Sequence, residues 1–171
     1  MYKLKKNLVL TGMMGSGKST IGKHLSGKLK MHYADIDDII EKKLSNSISE
    51  IFEKKGENYF REIETEESIK IIEKLNYVVA LGGGAFMNNK IREIIKKNSV
   101  SVWLDVDINL IYKRTNDIKK RPLLKNMSLE DLNNLYKKRE PIYSLADIKI
   151  NCNSKNKNEI VDEIIKIYEN R

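Results

Sequence analysis

The stretch "LVLTGMMGSGKSTIGKHL", Leu8 to Leu25, decides how the rest of the chain is read. A short apolar run of β-type residues passes through Gly12, Gly15 and Gly17 into a helical pattern, and Lys18, Ser19 and Thr20 stand at the bend. Gly12 to Ser19 fits G-x-x-x-x-G-K-[ST], and a strand before with a helix after is the context that motif demands. The glycines let the backbone turn sharply and aim successive N–H groups at phosphate oxygens, while the helix N-terminus adds the positive end of its dipole. The expectation is a nucleoside triphosphate cradled by Gly12, Gly15, Ser16 and Gly17. Lys18 reaches its β and γ phosphates, Ser19 ligates a bridging Mg²⁺, and Thr20 touches the α phosphate.

The bulk properties bound the rest. At 171 residues the chain suits one domain, spanning 1–171, and a single core burying roughly 70% of the unfolded surface. Hydrophobic residues make up 40% and charged residues 33%, with two prolines, a composition of folded helical or α/β proteins and not of disordered tails. The net charge is +8. That charge alternates with glutamate on helical faces, as in "IEKKL" and "IREIIKK", and no aromatic-interleaved basic strip accompanies it, so a solvated surface is expected rather than a nucleic-acid partner. Cys152 is the single cysteine, which excludes an intrachain disulfide and a cysteine-based zinc site. The apolar run in "MYKLKKNLVLTG" is too short for a signal segment or membrane span. A cytoplasmic monomer with no membrane partner is expected.

β-rich segments alternate with longer helical patterns: "NLVLT" (7–11), "HYADID" (32–37), "YVVAL" (77–81), "VSVWLD" (100–105) and "DIKIN" (147–151). Five strands separated by helices predict an α/β fold with a parallel sheet covered on both faces. Between the second and third lies a helical insertion, 38–75, far longer than a crossover needs. Inside it "SISE" has capping-box spacing, Gly56 sits where a C′ glycine would end that turn, and a second helix is expected from about Asn58 to Lys74. "TNDIKKRPLLKNM" (115–127) is cationic and loop-like, either a solvated surface loop or a lid, and "SLED" opens the helix after it.

Many families share the phosphate cradle, so the activity has to come from the rest of the site. In a doubly wound sheet ligands sit beyond the carboxyl ends of the strands, and "HYADID" ends at Asp35 and Asp37. Read as strand, both carboxylates project to one side. One would hold metal-bound water and the other would accept a proton from an acceptor hydroxyl. The same letters also fit a helix N-cap with acids in the first turn. Arg61 and Glu64 are three apart on one helical face, usually a surface ion pair. Gly82, Gly83 and Gly84 follow a buried strand, where backbone can approach a ligand closely. Arg114, Arg121 and Arg139 are planar forks suited to phosphate or carboxylate, each taken singly as much surface as site.

Together these residues resemble the shikimate kinase family from end to end. The likeness rests on "GMMGSGKST", "DID" followed by "IE", "ISEIFEKKGENYFREIE", "ALGGGA", "RPLL" and "REPIYSLAD", in order and at the family's separations. It implies a three-layer P-loop fold like that of nucleoside monophosphate kinases. The five-stranded parallel sheet has the order 2-3-1-4-5, with a helical substrate-binding insertion at about 35–64 and a lid at about 115–127. It implies transfer of the ATP γ-phosphoryl group to the 3-hydroxyl of shikimate, with Mg²⁺. By resemblance, Asp37 binds the acceptor hydroxyl and serves as its base, and Asp35 lies near Mg²⁺. Arg61 and Arg139 clamp the shikimate carboxylate, with Gly83 donating a backbone contact to substrate and Gly82 and Gly84 beside it. Arg121 reaches the phosphates on lid closure, Arg114 lies near adenine, and Phe52 and Phe60 wall the pocket.

Two features depart from the family. Ser45 stands where glycine is frequent, and "INCNSKN" lacks a proline often found near the adenine, leaving Asn153 as the expected contact there. The rivals are another small-metabolite or nucleotide kinase of the same fold, such as a gluconate kinase, and a nucleotide-binding module without turnover.

Overall fold

The computed structural model describes residues 6–116 and 127–171. The strands are β1 (Asn7–Thr11), β2 (His32–Asp35), β3 (Tyr77–Ala80), β4 (Ser99–Asp105) and β5 (Ile148–Asn151). The helices between and after them are α1 (Lys18–Leu29), α2 (Ile36–Leu44), α3 (Ile48–Ile72), α4 (Asn89–Asn98), α5 (Ile108–Asn116), α6 (Leu129–Tyr143) and α7 (Lys157–Glu169).

The sheet has the order β2-β3-β1-β4-β5, and every pairing in it is parallel, as the resemblance implied. β1 lies between β3 and β4, with Leu8 opposite both Val78 and Val100. Its five residues are all buried, which is why "NLVLT" shows no polar alternation. Parallel crossovers keep one hand, so α1, carrying the chain from β1 outward to β2, lies on the face opposite the later crossovers, which run the other way. α7 joins α1, and α3 packs beside α4.

Asn7 is wholly buried at the start of β1. Its amide donates to the Ile72 and Lys74 carbonyls, and its side-chain oxygen accepts from the Tyr77 amide. One side chain thus closes the α3–β3 turn against the central strand.

The second strand is shorter than the sequence suggested. It ends at Asp35, whose carboxylate caps α2 by accepting from the Asp37 amide at 3.2 Å. Asp37 and Asp38 lie in the first helical turn, so Asp35 and Asp37 do not alternate along one strand. Capping wins because an aspartate before two further acids satisfies orphan N–H groups and the dipole together. The other strands shift by at most one residue from the expected bounds.

The helical insertion is α2 plus α3. Ser47 and Glu50 form the capping box at the start of α3. Gly56, with φ 81° and ψ 168°, ends the helical segment opened by Ser47, and a second helix follows it, so α3 is two helices joined at a kink. Ser45 adopts φ 50°, in the left-handed region, as the C-cap of α2, a conformation that glycine takes more readily. Glu67 of α3 is ion-paired to both Lys43 of α2, at 2.7 Å, and Lys70, holding the two helices as one unit. Ser128 and Asp131 cap α6 in the same reciprocal way.

Candidate active site

The turn after β1 is built as the motif requires. Gly12 has φ 138°, and a Cβ there would stand 2.8 Å from the Leu104 carbonyl oxygen of β4, so a side chain is excluded by backbone on two counts. Gly17 is the left-handed N-cap of α1, with no side chain capping the helix and no acid in its first turn. The first N–H groups and the positive dipole end therefore face the cavity, a ready anion site. Lys18 folds back over the loop and donates from Nζ to the Gly12 and Met13 carbonyls at 2.9 and 2.8 Å. Arg114, on α5, donates to the Gly15 carbonyl at 3.3 Å and closes the loop from the β4 side.

Beside the cradle the Ser19 hydroxyl donates to Asp35 Oδ2 at 2.6 Å. The Tyr33 hydroxyl donates to the same oxygen at 3.1 Å. Burial, then the charge of Asp35, holds the Tyr33 phenol well above its ordinary range, so it stays a donor. A hydroxyl and a carboxylate at hydrogen-bond distance, next to a phosphate cradle, are the hard oxygen donors that suit Mg²⁺, an ion that keeps several waters and takes few protein ligands. The donor set fits that ion.

Across the cavity, Asp37 in the first turn of α2 faces the Gly82–Gly84 segment after β3. A Cβ on Gly82 would stand 2.5 Å from Glu64 Oε1 and 2.9 Å from Asp37 Oδ1, so two acids from two helices converge on this one residue. Arg61 donates from Nη1 to Glu64 Oε2 at 2.6 Å, while Nε and Nη2 reach Glu57 Oε1 at 3.3 Å. Its guanidinium lies against Gly84, where a Cβ would be 2.7 Å from Nη1. Arg139 of α6 donates to the Gly83 carbonyl at 3.1 Å. Phe60 is buried behind Arg61, with the Phe52 ring 4.8 Å from it.

Glu64 is the residue that the sequence reading placed least well. The expected surface ion pair is a cavity wall: Glu64 is 2% exposed, and its Oε1 has no hydrogen-bond partner among the described residues. Burial raises its carboxyl above the ordinary range and the nearby Asp37 adds to this, against the pull of Arg61 and Arg139. Burial pulls Arg61 down, but the charge and hydrogen bonds of Glu64 and Glu57 outweigh it and hold the guanidinium above its usual value.

One continuous cavity of about 1140 Å³ joins these groups. Of the residues expected at the site, Gly15 to Thr20, Asp35, Asp37, Phe52, Phe60, Arg61, Gly82 to Gly84, Arg114 and Arg139 line it. Gly12 supports it from behind through the turn. Arg121 and most of the expected lid lie outside the described residues. Asn153 is not among the lining residues: its side-chain oxygen accepts from the Asp107 amide at 2.6 Å, tying the β5–α7 connection to the start of α5. Cys152, Lys155 and Lys157 line the cavity instead. Burial pushes the Cys152 thiol up to about 11, which keeps it protonated. No sequence signal marked these three, because the β5–α7 connection carries a helix cap, Asn156 with Glu159, and no ligand-binding motif.

A helix-borne phosphate cradle that opens into an acid- and arginine-lined compartment belongs to a P-loop phosphotransferase, with an acceptor small and anionic. The comparisons with known proteins make this particular. A family model described as shikimate kinase matches residues 14–169. The shikimate kinase of Sulfurihydrogenibium sp. (strain YO3AOP1) is 44% identical over 160 residues, covering 94% of this chain and 96% of that protein. Among solved structures, shikimate kinase from Acinetobacter baumannii in complex with shikimate superposes with a TM-score of 0.91 at 34% identity, over 97% of this chain and 94% of that one. Shikimate kinase from Aquifex aeolicus gives a TM-score of 0.84 at 40% identity, over 95% and 96%. The chain belongs to the shikimate kinase family.

Proposed function

We propose that the protein transfers the γ-phosphoryl group of ATP to the 3-hydroxyl of shikimate, giving shikimate 3-phosphate and ADP, a step toward chorismate and the aromatic amino acids. The observation that carries this is the meeting of Arg61 from α3, Asp37 from α2 and Arg139 from α6 around Gly82–Gly84, in the cavity that also holds the phosphate cradle. Two guanidinium groups match one carboxylate. An aspartate and glycine backbone match ring hydroxyls.

In this reading Lys18 and the N–H groups from Gly15 to Thr20 hold the triphosphate, and Arg114 lies along the nucleotide end. Ser19 and Asp35 would hold Mg²⁺, which would supply neutralisation of phosphate charge. Arg61 and Arg139 bind the acceptor carboxylate and so orient its ring. Asp37 accepts the proton of the attacking hydroxyl as the bond to phosphorus forms. Rate enhancement comes from in-line placement and from fixed positive groups around the transferred charge. The part the resemblance implies for Arg121 and for a lid at about 115–127 lies outside the described residues. The lid and the insertion at about 35–64 belong to one domain, acting as a cytoplasmic monomer without nucleic-acid or membrane partners.

The test is ADP release with Mg²⁺ and ATP in the presence of shikimate, gluconate or nucleoside monophosphates. Stimulation by shikimate alone is expected. Stimulation by another acceptor, or by none, overturns the reading.

A further inference from the structure

Tyr143, the last residue of α6, takes no part in the mechanism above, and yet it is wholly buried beside the site. Its hydroxyl donates to the Gly83 carbonyl at 2.6 Å, the same oxygen that accepts from Arg139 at 3.1 Å. Arg139 and Tyr143 are four apart on α6, so they present one helical face to one backbone oxygen. The phenol oxygen also lies 3.8 Å from Met13 Sδ, inside the phosphate-binding loop. Its ring stacks on Trp103 with centroids 5.9 Å apart, and Trp103 in turn lies against Gly12, where a Cβ would be 3.5 Å from its Cδ1.

One side chain therefore touches three elements that must keep register during transfer: the loop that holds the phosphates, the glycine segment beside the acceptor, and the helix that carries Arg139. A Cβ on Gly83 would stand 3.3 Å from the Met14 amide nitrogen and 3.5 Å from Arg139 Nη1, so the three are already at contact distance. Burial, as the largest influence, raises the Tyr143 phenol, which keeps it protonated and able to donate.

We infer that Tyr143 is a positioning residue for the acceptor: its hydroxyl pins Gly83 and the end of α6 against the phosphate-binding loop, and so sets how far the clamped substrate stands from the transferred phosphoryl group. The inference rests on the shikimate reading of the site. Pro141, two residues before Tyr143, has no amide hydrogen to give to the α6 ladder, so the end of this helix depends more on the tertiary hydrogen bond than a regular end would.

The experiment compares Tyr143→Phe and Trp103→Phe with the unaltered chain, measuring kcat, KM for shikimate, KM for ATP and the thermal midpoint. Removing the hydroxyl while keeping the ring should lower kcat/KM for shikimate about fivefold to tenfold, the effect of one lost hydrogen bond, with KM for ATP within about twofold. Trp103→Phe keeps the hydroxyl and loosens the stack, and should lower the midpoint without a matching loss in kcat/KM for shikimate. An unchanged kcat/KM in Tyr143→Phe overturns the inference. So does a loss that tracks the midpoint in both variants, or a Phe variant that does not fold, since each makes the hydroxyl structural alone. Absence of shikimate turnover in the unaltered chain would instead overturn the functional reading, and the inference with it.

Discussion

Arg61 donates to Glu64 at 2.6 Å from one turn away on the same helix, and the two ends of that bond live in different media: the arginine side chain is 33% exposed, the glutamate 2%. The pair is a cavity wall with a wet cation and a dry anion. Removing the cation strands the anion, because a buried charge without its partner costs far more than the intact pair contributes.

Arg61→Ala should therefore act twice. KM for shikimate should rise about tenfold to hundredfold, from losing charged hydrogen bonds to a carboxylate. Stability should fall by about 3 kcal/mol, the low end for breaking a buried pair, because the arginine end retains solvent. Adding Glu64→Gln should restore much of the stability and none of the KM. Steady-state kinetics and urea unfolding on both variants separate the two effects, and a KM that recovers in the double variant would refute the clamp.

The raised Glu64 carboxyl also sets a pH dependence. Between the ordinary carboxylate value of about 4.3 and its higher folded value, the folded chain retains a proton that the unfolded chain has released, so stability from this group falls as pH rises through that window and levels off above it. Thermal midpoints from pH 4 upward should show the unaltered chain losing ground relative to Glu64→Gln, then running parallel. Parallel curves throughout would mean that Glu64 titrates normally.

Asp37→Asn should lower kcat by about a hundredfold to ten-thousandfold, the range for a general base, with nucleotide affinity unchanged. Single-turnover phosphoryl transfer and ATP-analogue titration are the measurements. Near-normal transfer would leave Asp37 as a helix-terminus acid alone.

Gly12→Ala and Gly82→Ala should fail differently. At Gly12 the new Cβ meets the Leu104 carbonyl, which is backbone, at φ 138°, so folding should weaken by roughly 1–3 kcal/mol. At Gly82 it meets the side-chain oxygens of Glu64 and Asp37, which can move aside, so turnover should drop with the midpoint little changed. Equal losses of stability in the two variants would show that the Gly82 segment cannot yield.

Ser19→Ala removes the hydroxyl that bonds Asp35 at 2.6 Å. Half-maximal turnover should then require roughly tenfold to hundredfold more Mg²⁺, read from rate against free Mg²⁺ at fixed ATP. An unchanged requirement would remove Ser19 from the metal site.

Much of this molecule was legible because its signals are local. The phosphate-binding loop depends on glycines at fixed offsets, and the caps at Ser47 and Ser128 on an acid three residues later, so each is specified by a handful of neighbours. Asp35 and Asp37 were less readable. The same letters satisfy strand alternation and a helix cap, and only the helix packed after β2 chooses between them. The β5–α7 connection carries only a helix cap, Asn156 with Glu159, and Asn153 was expected at the site where Cys152, Lys155 and Lys157 line the cavity instead.

By itself, then, the sequence determined the parallel strands, the cradle and the types of residue that face the acceptor, because periodicity, capping and turn chemistry act over a few residues. Only the tertiary structure decided that Glu64 is dry, that Arg61 and Arg139 meet across Gly82–Gly84, and that Tyr143 shares the Gly83 carbonyl. Such facts belong to distant segments brought together by sheet order, and whether a charge is buried depends on what packs over it, which no single stretch of chain encodes.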